Sequence, residues 1–91
     1  MYSRDVIVKD TVGLHARSLN FFYEDACMYE SSIWVGKENK DSRVNAKSMI
    51  GVLSLNIMGG EKIKIIADGP DEKDAVDHLA NMIETGFEDY K

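Results

Sequence analysis

Lys62-Ile63-Lys64-Ile65-Ile66-Ala67 running into Asp68-Gly69-Pro70-Asp71-Glu72 is the stretch that decides the fold. It opens on strict alternation of lysine and isoleucine, the period-2 pattern of a strand with one wet and one buried face. Asp-Gly-Pro-Asp-Glu then reads as a helix start. Proline is tolerated in a first turn, whose N–H groups lack partners, and acids favour the positive end of the helix dipole. Val76, Leu79, Ala80 and Ile83 come next at i, i+3, i+4 and i+7, one apolar stripe of a helix, and Gly86 supplies a stop.

Working outward from this unit, Val6-Ile7-Val8 is a β-branched run that reads as the first strand, broken by Thr11-Val12-Gly13. Ala16, Leu19, Phe22, Tyr23 and Ala26 then fall on one face of a helix. Ser32-Ile33-Trp34-Val35 is a second strand. It runs into the polar stretch from Lys37 to Ser42, which reads as a hairpin loop leading to a short return strand near Arg43-Val44. Lys47 to about Leu55 is a short helix, and Gly59-Gly60 breaks the chain's local order soon after it. The order is βαββαβα. With one layer of helices available, the expected fold is α+β: an open-faced sandwich, with a four-stranded, mainly antiparallel sheet and three helices on one face.

Size and composition set the limits of function. A 10.2 kDa chain should bury about 64% of its extended surface, enough for one small core, so residues 1–91 are expected to form a single domain. Seven Gly and one Pro exclude collagen-like and low-complexity chains. The net charge of -5 argues against nucleic-acid binding, but it is local. Residues 68–91 carry two bases against eight acids, whereas residues 1–67 carry nine bases and eight acids. No apolar run approaches the ~18 residues of a membrane span, and Met1 to Asp10 has no signal-peptide core, so a cytoplasmic protein without membrane insertion is expected. Cys27 is alone and the two histidines are distant, so neither a disulfide nor a metal site is expected, and no cofactor is implied.

Chemistry concentrates in Gly13-Leu14-His15-Ala16-Arg17, where the first strand has ended and the first helix begins. First-turn N–H groups lack intrahelical partners and favour a nearby anion. A histidine there presents a ring nitrogen beside those donors, and the positive helix end opposes its protonation, leaving it nucleophilic. Arg17 adds a planar fork suited to phosphate. The same spacing also suits an ordinary surface histidine or a local cap, and spacing alone does not separate the two.

The residues 13–17 resemble the phosphorylation-site motif of the HPr family, the histidine-containing phosphocarriers of the phosphoenolpyruvate-dependent sugar phosphotransferase system. A second family motif appears as Val44-Asn45-Ala46-Lys47-Ser48-Met49-Ile50-Gly51-Val52-Leu53-Ser54-Leu55. The resemblance covers nearly the whole chain and implies the same βαββαβα order. It implies a phosphoryl carrier, not a turnover enzyme. His15 would be phosphorylated on Nδ1 by enzyme I and dephosphorylated by sugar-specific enzyme II A-type domains, and Arg17 would orient the phosphoryl group. Ser48 would be the regulatory serine modified by the HPr kinase/phosphorylase of Gram-positive relatives, its phosphorylated form serving a catabolite-control transcription factor. Met49, Ile50 and Leu53 fall largely on a face that one helical layer does not need to bury, so the resemblance makes them a docking surface. The plainer reading of the short helix is burial on two sides, and that of Ser48 is a simple N-cap.

Departures from the family pattern bear on rate. Ser18 stands where proline usually pre-sets the first helical turn, Leu19 and Asn20 replace small residues, and the loop from Lys37 to Arg43 is about two residues longer. Asn56 stands where glycine is usual; asparagine is the next most tolerant residue for a left-handed conformation, so the turn should survive. These features suggest a divergent member, and they keep a second function in view: a regulatory module acting chiefly through Ser48. A third, remote one is a ligand-binding α/β domain without phosphoryl chemistry. The retained pair of His15 and Arg17 favours the carrier. Elsewhere, His78 reads as exposed and inert, Cys27 as part of the core, and Trp34 as a core or sheet-face residue.

Overall fold

The computed structural model describes residues 1–9, 14, 16–37 and 43–88, without the side chain of residue 16. The elements are β1 (Tyr2–Ile7), α1 (Ala16–Ala26), β2 (Ser32–Lys37), β3 (Arg43–Asn45), α2 (Met49–Ser54), β4 (Lys62–Asp68) and α3 (Glu72–Glu84). Order and architecture are those expected: an open-faced sandwich with a four-stranded sheet. The strands run β1-β4-β2-β3, every neighbouring pair antiparallel.

β4, the strand on which the sequence decides the fold, is central. Its register sets Ile63 opposite Val6 of β1 and Ile65 opposite Val35 of β2. Ile63, Ile65 and Ala67 are sealed on the helix side, whereas Lys62 and Lys64 are exposed on the open side. Ile66 breaks the wet half of the alternation. It lies opposite Trp34 and is buried all the same, so Trp34 is a half-buried sheet-face residue. Leu19, Phe22 and Ala26 of α1, Val52 of α2, and Ala75, Val76, Leu79, Ala80, Met82 and Ile83 of α3 complete the core.

Several local expectations change. The first strand begins already at Tyr2, because Tyr2 and Arg4 point toward α3 beside Val6 and find polar partners there, and it ends at Ile7, before the buried Val8. The Tyr2 hydroxyl donates to Asp77 at 3.1 Å, and Arg4 reaches Asp77 and Glu84. Pro70 lies before the first turn of α3, whose N-cap is Asp71. Cys27 is exposed, not core: α1 ends at Ala26, and Cys27 is four residues beyond the half-buried Tyr23, on the flank of the stripe. His78 is bonded rather than inert, its Nε2 2.8 Å from Asp25 Oδ2 of α1 with the Tyr29 ring 6.0 Å away. Most of the hairpin loop lies outside the described residues, but the Gly36–Arg43 pairing on either side of it is that of an antiparallel hairpin.

The turn from β4 into α3 is held tightly. Asp71 accepts bonds from the amides of Glu30 and Ser31 and from the Ser31 hydroxyl. These donors, the hydroxyl foremost, hold its carboxyl below the usual carboxylate range. Gly69 packs so closely on Ser31 that an added Cβ would sit 2.7 Å from the Ser31 Cα, at a φ of +154°. Glu72 accepts from the Gly69 amide and meets the N-terminal amine, which lowers the Glu72 pKa and raises that of the amine.

Candidate functional site

His15, the central residue of the sequence motif, lies outside the described residues; its neighbours fix the surroundings. Leu14 is buried at 1% exposure, and its amide donates to the Ile57 carbonyl at 3.0 Å. That bond ties the chain one residue ahead of His15 to the segment after α2. α1 begins at Ala16. The start of α1 and the end of α2 therefore belong to one locus, which sequence spacing alone did not reveal.

Arg17 is exposed, and its guanidinium lies over the Phe21 ring, 5.6 Å from the centroid, one helical turn on. A stacked guanidinium is pre-oriented while its N–H edge stays open to an anion. Ser18 fills the position usual for proline inside a regular helix and is 9% exposed. The helix thus forms without the ring, as its serine dihedrals allow.

Ser48 is the N-cap of α2, with φ -115° and ψ 109°. Its Oγ accepts from the Gly51 amide at 3.1 Å, and its carbonyl accepts from Val52 at 3.0 Å. Gly51 permits this close cap: a Cβ there would approach Ser48 Oγ to 3.1 Å. A phosphate on that oxygen would replace the capping lone pair with charge at the same helix end. α2 buries Val52 and half-buries Leu55, so Ile50 (82% exposed), Leu53 (49%) and Met49 (38%) stand outward. Met58, 44% exposed and not signalled by the sequence pattern, is a further exposed apolar residue just beyond α2. Two-sided burial of the short helix is thereby overturned.

The chain leaves α2 through Asn56 at φ +49°, the left-handed turn expected there. A second residue missed from sequence is Lys37. Its Nζ donates to the Asn56 carbonyl at 3.2 Å and pairs with Glu61 at 3.0 Å. Nothing in the alternation of β2 signals a lysine turned toward a turn nineteen residues away.

Fold and site together define a small open-faced sandwich in which the segment before α1, the helix that carries the exposed Arg17, is tied to the segment after a short helix that bears a capped serine and exposed apolar residues. The family model described as PTS HPr component phosphorylation site matches residues 2–85. The chain is 37% identical over 87 residues to the phosphocarrier protein HPr of Neisseria meningitidis, covering 96% of each. It is 39% identical over 84 residues to the HPr-like protein Crh of Halalkalibacterium halodurans, covering 92% of this chain and 98% of the relative. The crystal structure of HPr-C-His from Thermoanaerobacter tengcongensis superposes with a TM-score of 0.89 at 40% identity, covering 96% of each chain.

The chain belongs to the HPr family. It is a phosphoryl carrier of the phosphotransferase system, a phosphorylated intermediate and not a turnover catalyst, with partnerships in that system and in catabolite control. Among the described residues no helix is long and apolar enough to cross a membrane.

Proposed function

We propose that His15 is the phosphoryl acceptor, taking the group from phospho-enzyme I and passing it to enzyme II A-type domains. The observation that supports this reading is the Gly13–Arg17 motif, whose last two residues open α1, in a chain that the family model matches over residues 2–85. In the transfer, His15 Nδ1 attacks phosphorus as the bond to enzyme I breaks, and the leaving nitrogen keeps that electron pair. First-turn amides and Arg17 receive the phosphoryl oxygens. An open site suits a carrier, because neither the free nor the phosphorylated form can be strongly stabilised without stalling one half of the cycle.

Ser48 is the regulatory site, modified by an ATP-dependent kinase/phosphorylase and read by a catabolite-control transcription factor. Met49, Ile50 and Leu53 are the docking surface for all these partners. Residues 1–91 act as one HPr-like domain in the cytoplasm. Similarity to Crh proteins favours one alternative, a chiefly regulatory module working through Ser48. Retention of His15 beside Arg17 favours the carrier, since a purely regulatory copy needs no nucleophile.

Incubation with phosphoenolpyruvate and enzyme I, then mass spectrometry of acid-labile phosphate, tests the choice. A label lost in His15→Ala is expected; an unlabelled wild type with a Ser48-dependent label from ATP would establish the alternative.

A further inference from the structure

We infer that Lys37 is a positioning residue for phosphoryl transfer, acting through the turn after α2; this rests on His15 being the acceptor. The chain of contacts is continuous. Lys37, at the end of β2, is only 20% exposed in its side chain, and its Nζ is held between Glu61 and the Asn56 carbonyl. The Asn56 carbonyl belongs to the peptide that joins Asn56 to Ile57, so a charged donor on that oxygen fixes the plane of this peptide. Ile57 is fully buried, and its own carbonyl, one peptide on, receives the Leu14 amide. Leu14 is the residue before His15.

The device has a reason to exist here. Asn56 is held at φ +49°, a conformation that costs a non-glycine residue free energy and needs the surroundings to over-determine it. The turn is otherwise tied at its far end, where Val8 donates to the Glu61 carbonyl and Gly60 donates to Val8. Glu61 thus belongs to both anchors: its backbone holds the end of β1 and its carboxylate holds Lys37. A neutral side chain at position 37 would leave the Asn56 carbonyl to water and let the Ile57 acceptor wander. Small displacements of an acceptor atom are costly in transfer reactions, which demand near-in-line geometry.

The test uses the full chain with Lys37→Met, Glu61→Gln and Lys37→Arg. Three readouts are needed: hydrogen exchange of the Leu14 amide, exchange of the Ile65 amide in β4 as a control for global stability, and the rate of His15 phosphorylation against enzyme I-dependent saturation. Lys37→Met should speed Leu14 exchange roughly tenfold relative to Ile65 and slow maximal transfer several-fold, with half-saturation nearly unchanged. Glu61→Gln should show a smaller change in the same direction, and Lys37→Arg should restore most of the rate. If Lys37→Met leaves Leu14 exchange and maximal transfer as in wild type, or if both amides change equally, the positioning role is overturned. A wild type that takes no phosphate on His15 would instead overturn the carrier reading itself, and the two failures are separately visible.

Discussion

The Leu14 amide donates to the Ile57 carbonyl at 3.0 Å, across 43 residues of sequence, and so couples the chain ahead of the first helix to the turn behind the second. Leu14 is itself buried in the core. The segment before α1 and the exposed apolar residues of α2 are therefore linked through one backbone bond, and substitutions can be chosen that touch the proposed acceptor site or the proposed docking surface and spare the other.

Docking should separate cleanly from folding at Ile50. Its side chain is 82% exposed, so Ile50→Asp should change stability by no more than about 0.5 kcal/mol. The same change places a charge in the centre of the rim and should raise half-saturation for enzyme I roughly tenfold. Urea unfolding and transfer kinetics on one preparation check both halves; an unchanged half-saturation would remove Ile50 from the docking surface.

The Ser48 cap carries a folding cost and a regulatory one. Ser48→Ala removes the acceptor for the Gly51 amide and should destabilise the protein by about 1 kcal/mol, read as a lowered urea midpoint. With ATP and the cognate kinase, the acid-stable label should vanish in the variant. Equal labelling of variant and wild type would place the modified residue elsewhere.

Acid should act through Asp71. Its folded pKa lies below the ordinary value of 3.8, so its bonds contribute stability that is fully present above that value and is lost as pH falls through the folded pKa. Asp71→Asn should therefore unfold at lower urea than wild type at neutral pH, with the gap narrowing below about pH 4. A gap that is constant from about pH 7 to about pH 2 would mean that the carboxylate charge contributes nothing.

Gly69→Ala should cost about 2 kcal/mol, because the new Cβ would meet Ser31 backbone and no rotamer can relieve the clash. Thermal unfolding measures it. A neutral substitution would mean that the turn between β4 and α3 moves freely, contrary to the bonds Asp71 makes with Glu30 and Ser31.

Legibility in the sequence depended on range. The Lys-Ile alternation of β4, the α3 stripe and the tolerance of Asn56 for a left-handed turn are local properties, and all three hold. Ile50 and Leu53 are readable as outward because Val52 claims the buried side of a six-residue helix. His78 and Lys37 were not readable. Each takes its meaning from a partner on another element, Asp25 in one case and the Asn56 carbonyl and Glu61 in the other. Cys27 failed for a subtler reason: it continues the helical period past the point where the helix itself stops. The early start of β1 at Tyr2 has the same cause, since Tyr2 and Arg4 find their partners Asp77 and Glu84 on α3.

The most direct test of the carrier is the mass of the protein after incubation with phosphoenolpyruvate and enzyme I, taken before and after acid treatment. One added phosphate, lost in acid, absent in His15→Ala and present in Ser48→Ala, is the expected result. A wild type that gains no acid-labile phosphate, or a His15→Ala variant that gains as much as wild type, would contradict it.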